Sequence, residues 1–368
     1  MQGNGVLKIT NAEFMFTLIG SVVGAGILSL PNSIVATAAQ DGWISTIIGA
    51  VYPFYIVLIG IFIIKKYPDK SITEVYVIHT GKVVGSIISL IFILQFPIYV
   101  AGVISSAVNL LRVYAVWFMK PMDITLVLVL LVVYASTKGI NTLAKINTIV
   151  FFIIIVLTAS GIATIRNASI LNIQPVFGAG MNKILKASLD SVFAYAGMEM
   201  LLVFHPYVRE KRNTIKIAFL SAFIITIIYG WTVFSSIFFL GPEIVPKAMW
   251  PYFFVVEGIR VPAITSFRFL FSALWIIVIF KSATNLYYGT VEMIHKIFTK
   301  VNHTKIALVL SPSIFLIPLF FQNELARRAF WGKFMPWSTS FNLIYITFIA
   351  VFCMVAKTRK DNQRGNVR

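Results

Sequence analysis

Val23-Gly24-Ala25-Gly26-Ile27-Leu28-Ser29-Leu30-Pro31 lies inside a hydrophobic stretch that runs from about Phe14 to Ile34. A membrane-spanning helix needs roughly 20 apolar residues, and each interior glycine costs about 1 kcal/mol relative to alanine. Two glycines flanking one residue in mid-span mark a place where the helix unwinds. Non-helical backbone at membrane depth persists only where it lines a cavity or is buried in protein. The break therefore points to a binding site.

The composition names the solvent. Hydrophobic residues make up 58% of the 368 and charged residues 12%, against about 25% charged in a soluble domain. The chain reads as an all-α membrane protein. Its first apolar run lacks the basic leader and small-residue cleavage site of a signal peptide. Cys353 is the only cysteine, so no disulfide forms within the chain. His79, His205, His295 and His303 are scattered, without a nucleophile or metal partner at useful spacing. No P-loop, triad or metal cluster is present, and neither catalysis nor a cofactor is expected.

Ten spans are predicted, at about 10–38, 43–65, 84–116, 123–139, 146–165, 183–206, 214–240, 266–294, 304–321 and 338–356. With the N-terminus inside, nineteen basic residues group with the inner side and eleven with the outer side, with Lys281 left in mid-span. The inner set includes the tail from Lys357 to Arg368. The positive-inside rule puts both termini in the cytoplasm. The net charge of +18 thus orients the chain and meets anionic headgroups of the bilayer, rather than nucleic acid. Trp43, Trp117, Trp250 and Trp337 read as belt residues, and Arg268 as an interfacial cation.

The short linkers make residues 1–368 one membrane domain, with two halves at about 10–165 and 183–356 and a basic tail at 357–368. Span 1 holds Gly24-Ala25-Gly26 followed by Pro31. Span 6, the first of the second half, holds Ala194-Tyr195-Ala196-Gly197-Met198-Glu199 followed by Pro206. Interrupted helices at matching positions of two halves are the best sequence pointer to a transporter-type site. Five spans is an odd number, so the second half is inverted. Close helix packing is the competing use of such glycines, but the matched positions favour two broken helices. The Pro-rich loop 241–265 is expected to be a partly helical lid.

Unwinding at Gly24, Ala25 and Gly26 frees amides near Gly26 to Leu28, with Ile27 between them. They suit a carboxylate. Carbonyls near Phe193 and Ala194 suit an ammonium. Such a site matches a zwitterion, and an amino acid fits, but so does a sugar. Glu199 follows the second break, and Lys281 sits mid-span in helix 8. Both are candidates for a charge or coupling role, Lys281 as a built-in cation that makes sodium unnecessary. Gln95 and Tyr99 share a face of span 3, and Val103 extends it; Pro97 between them permits a kink.

The run from Val23 to Pro31, followed by Asp41-Gly42-Trp43-Ile44, resembles the opening of the B subunits of bacterial endospore germinant receptors (the GerAB type). So do Gln174-Pro175-Val176-Phe177-Gly178, Gly197-Met198-Glu199 and Trp250-Pro251. The resemblance covers essentially the whole chain. It implies the amino acid–polyamine–organocation superfamily, with a LeuT-like five-plus-five fold and broken helices 1 and 6. It also implies a nutrient sensor of the spore inner membrane that binds a small germinant and signals to A and C subunits. Carried over by position, the pocket comprises Gly24, Gln95, Tyr99, Ala196 and Ser282. The ligand-binding set from both arguments adds Ala25, Gly26, Ile27, Val103, Phe193 and Gly197. The chain departs from the family pattern at Tyr99, at Lys281 and at Thr265-Ser266-Phe267-Arg268, so no relative's ligand transfers. The alternative function is a proton-coupled amino acid permease working through Glu199 or Lys281.

Overall fold

Thr10 and Glu13 close a reciprocal capping box, the Thr10 side chain accepting from the Glu13 amide and the Glu13 carboxylate from the Thr10 amide. That satisfies donors left free at a helix start and launches α1 (Asn11–Val22). Val23 then turns extended, with φ −73° and ψ 109°, before α2 (Gly26–Ala38) begins. The computed structural model describes residues 8–259, 267–321 and 323–355. The basic tail 357–368, Pro262 and Thr265-Ser266 lie outside the described residues.

After α2 come α3 (Gly42–Gly49), α4 (Val51–Lys66) and the short α5 (Ile72–Thr80). Next are α6 (Lys82–Ile93) and α7 (Gln95–Tyr114), with a break at Leu94. Pro97 is the third residue of α7, where a helix has no internal partner for the missing N–H. Then follow α8 (Pro121–Thr137), α9 (Ile140–Ala159), α10 (Met181–Ala194) and α11 (Leu201–Phe204). The chain continues through α12 (Thr214–Leu240), α13 (Pro251–Glu257), α14 (Phe267–Ile297), α15 (His303–Leu319) and α16 (Glu324–Val355). Among the described residues, six helices are long and apolar enough to cross a membrane, or seven when the bent pair at α10 and α11 is one span.

The last helix begins at Glu324, fourteen residues before the predicted start at 338. Arg327, Arg328 and Lys333 lower the hydropathy of this stretch, but Glu324 neutralises both arginines within its first turn, at 2.5 and 2.9 Å. The helix can therefore extend over a segment that reads as a polar loop.

The core runs along α14, which packs against α7, α8, α9 and α1, while α10 is held between α2 and α3. Small and polar residues mediate the close approaches. Asn147 and Asn285 exchange two amide hydrogen bonds of 2.8 Å beside Gly20, where any side chain would strike Asn147. The outer surface is apolar, with Val309 77% and Val83 72% exposed, as a lipid-facing surface requires. Trp250, expected in the interfacial belt, is instead buried against Tyr114 and Phe253. Its Pro-rich loop folds inward as α13, which packs on α2, α12 and α14. Arg268 pairs with Glu257 at 2.7 Å over the Tyr114 ring.

Candidate functional site

The interruption between α1 and α2 faces a second one. After α10, Gly197 adopts φ +107°, a 3₁₀ turn spans Met198–Met200, and the following segment is bent by 48° from α10. A Cβ on Gly197 would lie 2.5 Å from the Ser21 carbonyl oxygen. Glycine is thus required twice over, for its conformation and for the contact between the two breaks.

Unwound backbone leaves carbonyls without helical partners, and two side chains take them. The Tyr229 hydroxyl on α12 lies 3.0 Å from the Val22 oxygen and 3.2 Å from the Ala194 oxygen, so one donor serves both breaks. Lys281, 1% exposed, donates from Nζ to the Val23 oxygen at 3.1 Å. Tyr229 went unnoticed in the sequence, where a tyrosine before Gly230 in an apolar run signals nothing by itself.

Between the breaks lies a cavity of about 440 Å³. Of the residues expected to bind ligand, Gly24, Ala25, Gly26, Tyr99, Val103, Phe193, Ala196, Gly197 and Ser282 line it. Gly26 opens onto free space, whereas a Cβ on Gly24 would lie 2.7 Å from Ser282 Oγ. Ile27 and Gln95 do not reach the cavity. Ile27 is fully buried in the apolar core, and Gln95 is committed to a polar chain. Glu199 and Lys281 also sit behind the wall. Arg327, Arg328, Trp331 and Met335 of α16 and Asp190 of α10 line the cavity too. Placing the start of α16 at 338 hid the first four.

The polar chain has a direction. Tyr99 lies 2.7 Å from Ser338 Oγ, Ser338 donates to Gln95 Oε1, and Gln95 Nε2 donates to Asn342 Oδ1 at 2.6 Å. Asn342 Nδ2 then donates to Glu199 Oε1 at 2.7 Å. Because the Ser338 proton goes to Gln95, Ser338 accepts from Tyr99. Tyr52 also donates to Glu199, and Glu199 Oε2 accepts the Gly197 amide at 2.6 Å. A line of donors thus runs from one cavity wall, Tyr99, to the second break at Gly197.

A family model described as spore germination protein matches residues 8–326. The chain is 24% identical over 329 residues to the spore germination protein YndE of Bacillus subtilis, covering 86% of this chain and 88% of that one. It is 20% identical over 368 residues to spore germination protein KB of the same organism, covering 97% and 98%. Among solved structures it is similar to MhsT in complex with L-phenylalanine, with a TM-score of 0.68 at 14% identity, over 95% of this chain and 98% of that one. It is also similar to Mhp1, a nucleobase-cation-symport-1 family transporter, with a TM-score of 0.67 at 11% identity, over 95% and 92%. These two likenesses establish the transporter-type, LeuT-like fold. With a family match over most of its length, the chain belongs to the spore germination proteins, the family of germinant-receptor B subunits, and is an integral protein of the spore inner membrane.

Proposed function

We propose that this chain is the nutrient-sensing subunit of a germinant receptor. A small germinant, an amino acid or a sugar, binds in the cavity between the two breaks. Occupancy is passed to A and C partner subunits, with no catalytic step. The observation that carries the reading is a cavity of about 440 Å³ walled by both interrupted helices, where the start of α2 offers polar partners at membrane depth. In this reading ten spans form two inverted halves, 10–165 and 183–356, spans 1 and 6 are the broken ones, and both termini are cytoplasmic. The Gly26 amide at the start of α2 offers a donor to the ligand, and Lys281 serves as a fixed cation at the first break.

Filling the cavity tests this. Gly26→Leu places a side chain into open space without a backbone penalty. In the assembled receptor it should abolish the nutrient response while the subunits still assemble. A normal response would remove the cavity from the mechanism. The fold shared with Mhp1, a nucleobase-cation-symport-1 family transporter, favours one second reading, a proton-coupled amino acid permease. Counterflow of labelled amino acids into liposomes holding this chain alone separates the two, since robust exchange would support the permease.

A further inference from the structure

Two charged groups in the cavity wall have capacity left over. Asp190, on α10 one turn before its end at Ala194, lines the cavity. It makes no hydrogen bond or close ion pair among the described residues, its charged neighbour being the exposed Lys186 one turn back on α10. Arg327 lines the cavity from the first turn of α16. It uses Nε and Nη2 on Glu324, at 2.8 and 2.5 Å, which leaves Nη1 uncommitted. Its neighbour Arg328 has each of its three nitrogens engaged, with Glu324 at 2.9 Å, Asn32 at 3.2 Å and the Met249 carbonyl at 2.5 Å.

We propose that Asp190 and Arg327 form a charge-paired subsite that takes the ammonium and the carboxylate of a zwitterionic ligand. The assignment rests on the cavity being the germinant site, and it narrows the ligand from amino acid or sugar to amino acid. Three arguments lead there. Asp190, Arg327 and Arg328 line the cavity, and with Glu324, which pairs both arginines, they carry zero formal charge; the exposed Lys186, one turn before Asp190, is the further cation acting on that carboxylate. A net cation or anion would leave one of the two facing charges without a partner, and a zwitterion would not. A guanidinium presents a planar edge that suits a carboxylate. Asp190 is a single carboxylate, and among the described residues no three acidic, His or Cys side chains cluster. An ammonium therefore suits it better than a metal ion, which needs several oxygen ligands. Leu30, Val103, Phe193 and Met335 supply apolar wall for a side chain.

The test uses the purified full chain and thermal-shift or calorimetric titration with four probe types. These are leucine and phenylalanine, their amides (no carboxylate), the matching deaminated acids (no ammonium), and glucose. Expected is binding of the amino acids, weakened about tenfold or more when either charged group is removed. Asp190→Asn should weaken the amino acids to the same degree and leave the deaminated acids unchanged. Arg327→Gln should do the converse with the amides. Arg327→Lys, which keeps a charge beside Glu324, guards against misfolding and should restore part of the affinity. Amino acid binding by Asp190→Asn at wild-type strength overturns the subsite. Binding of glucose but of no amino acid overturns it while the germinant cavity stands. Binding of none of the four overturns both.

Discussion

Gly197→Ala is the sharpest test of how the two breaks meet. At φ +107° an L-residue is strained wherever it sits, at a cost of roughly 1–2 kcal/mol. The new Cβ would also lie 2.5 Å from the Ser21 oxygen. That neighbour is backbone, so it yields only if α1 moves away from α10. Together these predict a loss of about 2–3 kcal/mol, or roughly 3–4 °C in melting temperature for a chain of this length. Gly26→Ala is the internal control. Its Cβ meets open space, and it opens a helix in which alanine is favoured over glycine by up to about 1 kcal/mol. Thermal unfolding of both variants in the same detergent decides the matter. If Gly197→Ala melts with wild type, or Gly26→Ala melts as early as Gly197→Ala, the contact between the breaks has been misassigned.

Three further outcomes follow from the same geometry. Asn342→Leu removes the link between Gln95 and Glu199 and should cost about 1–3 kcal/mol by leaving buried polar groups short of partners; an unchanged melting curve would show the chain to be dispensable. Tyr229→Phe deletes the one hydroxyl that serves Val22 and Ala194 and should cost about 1–2 kcal/mol, measured by the same melt. If Lys281 is the fixed cation at the first break, ligand binding by wild type should be equal in sodium and in choline buffer, and Lys281→Met should lose it. A sodium requirement in wild type ends that idea.

What could be read from the sequence follows from where energy is concentrated along the chain. Gly24-Ala25-Gly26 was legible because paired glycines in an apolar run have a local cost that only a cavity offsets. Helical spacing also carried Tyr99 and Val103 onto one wall, since residues four apart share a face. Gln95 follows the same spacing, yet it lies one turn further from the cavity and is spent on Asn342 and Ser338. Ile27 neighbours Gly26 in sequence, but a helix turns successive residues to different sides, and the core takes it. The start of α16 was illegible for the opposite reason. Two arginines read as loop until their partner Glu324, in the same turn, removes the cost of holding them there. Tyr229 and Asp190 depend on neighbours distant in sequence, which no local pattern records.

The way α16 is used ties these observations together. Its first turns supply Arg327, Arg328, Trp331 and Met335 to the cavity wall. Its middle supplies Ser338 and Asn342 to the line of donors between Tyr99 and Glu199. Trp331 lies flat against Tyr99, ring centroids 6.0 Å apart, and over Gly102, where any larger residue would displace it. A ligand that pushes on Trp331 or Tyr99 thus acts on the same helix that holds Glu199 beside the second break. Each bond in the line has a single donor, so a shift of α16 cannot relax one link without disturbing the next. In a sensing subunit this would make α16 the element that moves with occupancy. Cross-linking α16 to α7 should then leave ligand binding intact and silence the response, and a normal response from the cross-linked receptor would refute the assignment.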